Sequence, residues 1–206
     1  MTVHRPSAWA QTLLATTLLV APAVAQGTIN NDRIFQALGV QSGATVCEIG
    51  AGDGELSIAA ARIVGPNGRV YTSELGDDHV KALQTRATAS GLGQITVVTG
   101  DPARTNFPDA ACDALFMRNV YHHFADPAAM DASIAAAVKP GGKVAIVDFT
   151  PPGGEAPTPA DRGKDGMHGV LPDTVARELK EAGLEPAAPD LGDRRWFMVV
   201  ATKPRQ

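Results

Sequence analysis

The sequence predicts an α/β domain built on a mostly parallel sheet with helices on both faces, and three observations carry that reading. Strand-like and helix-like segments alternate from Thr45 to Phe149, turn signals separate them, and the first strand runs directly into a glycine-rich loop.

Taken in order, Asn31 or Asp32 caps a short helix through Leu38, and Gly39 ends it in the left-handed turn that glycine permits. Strands are predicted at Thr45–Ile49, Arg69–Ser73, Ile95–Thr99, Ala114–Arg118 and Lys143–Phe149, where β-branched and apolar residues cluster in short runs. Helices are predicted over Glu55–Val64, Asp77–Ser90 and Pro127–Val138. Turns fall at Gly65-Pro66-Asn67-Gly68, Gly91-Leu92-Gly93 and Pro140-Gly141-Gly142. From Thr150 to Gly169 proline, glycine and charge dominate, which predicts a long loop over the site, either a functional lid or plain disorder. A helix over Asp173–Ala182 and a strand at Trp196–Thr202 close the chain.

The chain has 206 residues, 44 % apolar and 19 % charged, which excludes a disordered or membrane-embedded class. Its net charge of −4 and its lack of a Lys/Arg run argue against nucleic acid as a partner and leave a small molecule. At the N-terminus, His4 and Arg5 precede an apolar stretch from Trp9 to Val20, then Pro22 and Ala23-Val24-Ala25, the three-part layout of a secretory signal. Residues 1–25 are therefore expected to be removed and 26–206 to form one domain in the periplasm or outside the cell. An uncleaved anchor is the alternative, but Gln11, Thr12, Thr16 and Thr17 interrupt the run, which falls short of the ~20 residues that span a bilayer. Oligomeric state is not legible. Cys47 and Cys112 fall in or beside buried strands in a poor register for pairing, so no disulfide is expected.

The chemistry concentrates in Glu48-Ile49-Gly50-Ala51-Gly52-Asp53-Gly54. Alternating glycines let the backbone turn sharply and let a ligand touch the main chain. Glu55 stands where the dinucleotide pattern needs its third glycine, and Glu48 and Asp53 add negative charge that suits a cationic ligand better than a phosphate. Glu74, twenty residues after Gly54, is placed to accept both hydroxyls of a ribose.

From about Val40 to Thr202 these features resemble the class I S-adenosylmethionine-dependent methyltransferases, in particular exported bacterial chains with a signal peptide. The first motif resembles Val46–Gly54, Asp101 in Thr99-Gly100-Asp101 resembles the acid that receives the adenine amino group, and Lys139-Pro140-Gly141-Gly142-Lys143 resembles the third motif. The resemblance implies a Rossmann-like, doubly wound sheet with an antiparallel C-terminal strand. It also implies S-adenosyl-L-methionine held by Glu48, Gly50, Ala51, Gly52, Gly54, Glu74, Leu75, Asp101, Pro102 and Asn119.

Ligands of such sheets sit beyond the strand carboxyl ends, which brings Tyr121-His122-His123 after the fourth strand to the methyl group. These three are the candidate catalytic residues, with a histidine as an optional general base, because the sulfonium donor is already activated. The resemblance also places a histidine, here His168, ahead of the following helix. His122, His123, Asp148 and His168 can be imagined around a metal, but no pair has a recognised metal spacing and no metal is expected. The expected activity is methyl transfer to a small-molecule acceptor. The alternatives are a non-catalytic binder of an adenosyl compound or metabolite on the same fold and a nicotinamide oxidoreductase, which fails at the missing third glycine.

Overall fold

The computed structural model describes Met1, residues 29–193 and residues 195–205. The signal segment expected over 1–25 therefore lies, but for Met1, outside the described residues. Among those described, no helix is long and apolar enough to cross a membrane.

Helix α1 (Asn31–Leu38) starts one residue later than its cap, which is Asn30, whose side chain accepts the amide of Arg33 at 2.9 Å. Gly39 ends it in the left-handed conformation. There follow β1 (Thr45–Ile49), α2 (Glu55–Val64), β2 (Arg69–Glu74), α3 (Asp77–Ala89), β3 (Ile95–Thr99), β4 (Cys112–Arg118), α4 (Pro127–Ala137), β5 (Val138–Phe149) and α5 (Pro172–Glu181). Two short strands, β6 (Glu185–Pro186) and β7 (Asp190–Leu191), precede β8 (Trp196–Thr202). Neither short strand is legible in the sequence, because two residues carry no periodicity.

The sheet runs β3-β2-β1-β4-β5-β8-β6, with β7 also paired to β8. Pairs among β1 to β5 are parallel and β8 is antiparallel to β5, as the resemblance implied. The chain builds outward from β1 to β3, then crosses back to β4 on the other side of β1. A crevice opens where the direction reverses.

Alternating residues of the central strands feed two cores. Val46, Ala114, Phe116 and Ala145 pack with α1 and α2, whereas Ile49, Leu115, Met117 and Ile146 pack with α4 and α5. Buried on both faces, these strands are largely apolar, as a parallel sheet between helices requires, with Glu48 and Asp148 as buried polar exceptions.

One expectation is overturned. Cys47 and Cys112 form a disulfide, with Cα atoms 5.9 Å apart. The expectation of two unpaired thiols placed Cys112 ahead of its strand, but β4 begins at Cys112 and its register with β5 shifts between Cys112 and Ala114. That irregularity takes Cys112 out of the straight ladder and onto the core face that also holds Cys47.

The Thr150–Gly169 segment is fastened to the domain at a few buried residues, while most of its length is exposed. Within it, Arg162 is buried and makes a two-pronged ion pair with Glu178 of α5, at 2.6 and 3.1 Å. The Gly169 amide donates to the carbonyl of Arg162, and that of Val170 to Phe149. Gly169 has φ +129°, and a β-carbon there would lie 2.4 Å from the Phe149 carbonyl oxygen, so only glycine lets the loop close on the end of β5.

Candidate active site

At the crevice lies a cavity of about 360 Å³. Its walls come from the carboxyl ends of four adjacent strands: Ile49 and Gly50 after β1, Ser73 to Leu75 at β2, Gly100 to Pro102 after β3, and Arg118 to Val120 at β4. His123, Phe124, Ala125 and Met130 close the far end.

The β1 turn is held by the neighbouring strand, because the amides of Gly50 and Ala51 both donate to the Ser73 carbonyl, at 2.9 and 3.0 Å. Gly50 has φ +68°, and a β-carbon there would lie 2.5 Å from a methyl of Val120. Glycine is thus required for backbone conformation and for close approach to the β4 loop. The Glu74 carboxylate accepts the amides of Gly52 at 2.6 Å and Leu75 at 2.9 Å. On the next strand, Asp101 accepts the amide of Ala103 at 2.9 Å. Two carboxylates thus stand at one end of the cavity, fixed by backbone donors. Asn119 takes φ +60°, a conformation asparagine tolerates better than most residues, and its amide donates to Val147.

Of the ten residues expected to hold the cofactor, Gly50, Glu74, Leu75, Asp101, Pro102 and Asn119 line the cavity. Ala51, Gly52 and Gly54 shape the turn behind it. Glu48 requires a correction: its side chain is buried against Ser57 of α2, whose hydroxyl is hydrogen bonded to the Glu48 carboxyl and to Thr72. Burial raises its pKa to about 8, so near neutrality it is largely uncharged and offers no negative charge to a cation. The strand alternation that turns Ile49 to the cavity turns Glu48 away from it.

The Tyr121-His122-His123 element divides in three directions. Tyr121 is fully buried and its hydroxyl meets Asp131 at 2.7 Å and Glu178 at 2.9 Å, under α4 and α5, so it is a core residue and not a catalytic one. His122 is also buried, with Nδ1 at 2.8 and 3.0 Å from the two oxygens of Asp148, whose carboxylate further accepts the His122 and Phe149 amides. Only His123 reaches the cavity. Its pKa is lowered by partial burial and by the neighbouring rings of His122 and His168, which keeps it neutral near pH 7. His168, brought in by the packed loop, places Nε2 at 2.8 Å from Nε2 of His122.

Sequence reasoning did not assign Arg118, Val120 or Met130 to the site. Arg118, whose guanidinium lies over the Trp196 ring at 5.9 Å, was discoverable from its position at the end of β4. Met130 belongs to α4 and carried no such signal.

Residues 46–142 match the family model for a methyltransferase domain. This methyltransferase match runs from β1 into the start of β5, where the Pro140-Gly141-Gly142 turn expected from the sequence falls within the strand, and includes every strand end that lines the cavity. A ubiquinone/menaquinone biosynthesis C-methyltransferase UbiE from Pseudomonas putida is 34 % identical over 122 residues, covering 55 % of this chain and 45 % of that protein. The corresponding protein of Saccharophagus degradans is 30 % identical over 115 residues, covering 55 % and 46 %. The chain thus spans less than half the length of these relatives. Among solved structures, a SAM dependent methyltransferase from Aquifex aeolicus superposes with a TM-score of 0.71 at 22 % identity, covering 89 % of this chain and 94 % of that one. The [4+2]-cyclase SpnF superposes with a TM-score of 0.72 at 17 % identity, covering 85 % and 81 %. Likeness at this level establishes the Rossmann-like fold of SAM-dependent methyltransferases, and the cyclase shows that the fold alone does not dictate the reaction.

Proposed function

We propose that this protein binds S-adenosyl-L-methionine in the crevice and transfers its methyl group to a small-molecule acceptor. The observation that carries the reading is the placement of Glu74 and Asp101 on adjacent strand ends in the cavity that Gly50 opens. Glu74 takes the ribose hydroxyls and Asp101 the adenine amino group. Gly50 and Asn119 would border the sulfonium and its methyl group, and His123 stands at the end of the cavity where the acceptor would enter.

Attack on that methyl is an in-line displacement in which the acceptor atom forms a bond to carbon as the sulfur–carbon bond breaks. The donor is activated by its charge, so the main task of the protein is to hold the acceptor in line and exclude water. Neutral His123 borders the acceptor end and is placed to take up a proton there. The printed name of the sequence relatives, C-methyltransferases of ubiquinone and menaquinone biosynthesis, makes electron-rich aromatic carbon the first acceptor class to test.

We also propose that the protein acts in the periplasm or outside the cell. The layout of residues 1–25 supports export, and so does the Cys47–Cys112 disulfide, since such bonds persist in oxidising compartments. The donor must then reach that compartment.

Calorimetric titration of purified 26–206 with S-adenosylmethionine, with NADH for comparison, tests the first reading, followed by labelled-methyl transfer over a panel of phenols, quinols, amines and thiols. Binding of the sulfonium compound and not of NADH, with transfer to one class, is expected. Absence of S-adenosylmethionine binding would overturn the reading. Binding without transfer to any acceptor would favour a non-catalytic binder.

A further inference from the structure

We propose that His122, His123 and His168 form a binding site for a zinc-class divalent metal ion at the acceptor end of the cavity.

Three of the chain's five histidines converge there, and one ring nitrogen from each lies within 4.8 Å of the others. They come from two places far apart in sequence. His122 and His123 follow β4, whereas His168 is carried in by the loop that Arg162 and Gly169 anchor.

The tautomer of His122 is set by its surroundings. The Asp148 carboxylate, itself fully buried, accepts the His122 Nδ1 proton with both oxygens in range, and its other two partners are backbone amides. No cationic side chain is among these partners. The Nε2 lone pair is therefore turned outward and its direction is fixed by the carboxylate behind it. This carboxylate–histidine arrangement is the usual support of an imidazole that ligates a metal.

At 2.8 Å, Nε2 of His122 and Nε2 of His168 can share only a proton or a cation. With the proton on His168 they form one hydrogen bond. With that proton shifted to Nδ1 of His168, both lone pairs face a common centre. Bonds of about 2.0–2.1 Å in tetrahedral geometry put ligand nitrogens about 3.3 Å apart, so His122 and His168 must open by about half an ångström. His123 must close in, and both His123 and His168 are exposed enough to turn. Phe149 packs against His122 and His168, at ring-centroid distances of 4.9 and 5.2 Å, and shields one side.

Three neutral nitrogen ligands suit an ion of borderline softness and leave a fourth position open. His123 also lines the cavity, so that position faces the acceptor end. On the methyltransferase reading, the ion would take an oxygen of the acceptor and lower the pKa of its hydroxyl. The metal site itself does not depend on that reading.

The test is titration of the tag-free protein with Co²⁺ as an optical probe, without S-adenosylmethionine, followed by displacement with Zn²⁺. The expected result is one ion per chain, with the visible absorption of a four- or five-coordinate centre that zinc abolishes. His123→Ala and His168→Ala, both at exposed positions, should each weaken binding at least about tenfold, and Asp148→Asn by about 10- to 100-fold. His79→Ala, on the exposed face of α3, should change nothing. Absence of stoichiometric binding at micromolar metal, or binding that survives His168→Ala, would overturn the proposal. S-adenosylmethionine affinity, measured separately on the same samples, keeps this outcome distinct from failure of the cofactor reading.

Discussion

Glu74 holds the amide of Gly52 at 2.6 Å, so the end of β2 and the glycine loop after β1 are locked to each other at the floor of the cavity. Each carboxylate oxygen accepts one backbone amide and keeps a lone pair free, enough to receive two ribose hydroxyls without moving. Glu74→Ala is expected to weaken S-adenosylmethionine binding by on the order of 1–3 kcal/mol, about 5- to 150-fold, through the lost hydrogen bonds and the freed loop. Glu74→Gln keeps one acceptor oxygen and should lose less. Calorimetry on both variants, with urea midpoints to confirm folding, gives the comparison; equal affinity for all three proteins would move the ribose elsewhere.

Much of this site was legible because its parts lie at strand ends. Glu74 ends β2 and Asp101 follows β3 by two residues, both at the crevice, so a count along the sequence pointed to Glu74 and the family resemblance to Asp101. Glu48 and Tyr121 misled for the opposite reason: each sits beside a true cavity residue, but alternation along β1 and the short turn after β4 send them into the core. The histidine cluster could be imagined from the sequence, but distance along the chain left it without a recognised metal spacing. His168 joins His122 across the packed loop, and no spacing rule links residues 46 positions apart.

That loop depends on one buried ion pair. Arg162 is 4 % exposed and Glu178 10 %, and Glu178 also meets the Tyr121 hydroxyl. Arg162→Ala leaves the Glu178 carboxylate facing a cavity, with only the exposed Arg177 nearby at 3.7 Å. A loss of about 3–5 kcal/mol in unfolding free energy is expected. The double substitution Arg162→Met with Glu178→Leu removes both charges and should lose less than the single one. Urea denaturation of the three proteins decides this, and a single variant as stable as wild type would remove the pair from the account of the loop.

Asp131 and Glu48 set a pH dependence with a definite sign. Burial lifts the Asp131 pKa to about 7 and that of Glu48 to about 8, both above their unfolded values. The folded state therefore holds more protons than the unfolded state from about pH 4 to 8, and the stability from these groups is full below pH 4 and lost as pH rises through that window. Protonated Asp131 also fits its hydrogen bonds, since it can donate to the Tyr121 oxygen while Tyr121 donates to Glu178. Asp131→Asn, neutral throughout, should remove its share of the loss, a difference of a few kcal/mol across the window. Urea midpoints of wild type and variant at half-unit pH steps give the curve; parallel curves would mean that Asp131 titrates normally.

The Cys47–Cys112 disulfide closes a loop of 65 residues that contains α2, β2, α3 and β3, one flank of the cofactor crevice. Cross-linking so long a loop restricts the unfolded chain, and the chain-entropy relation gives an upper bound of about 4 kcal/mol of stabilisation. Both cysteines are fully buried, so a reductant reaches the bond only when the protein opens. Native protein should therefore resist a phosphine reductant, while equilibrium urea unfolding with that reductant should lose about 2–4 kcal/mol relative to the oxidised protein. Cys112→Ala supplies the control, because its loop is already open and reductant should leave its urea midpoint unchanged. An equal midpoint for wild type with and without reductant would show that the two sulfurs are not joined, and would withdraw one of the two supports for an oxidising compartment.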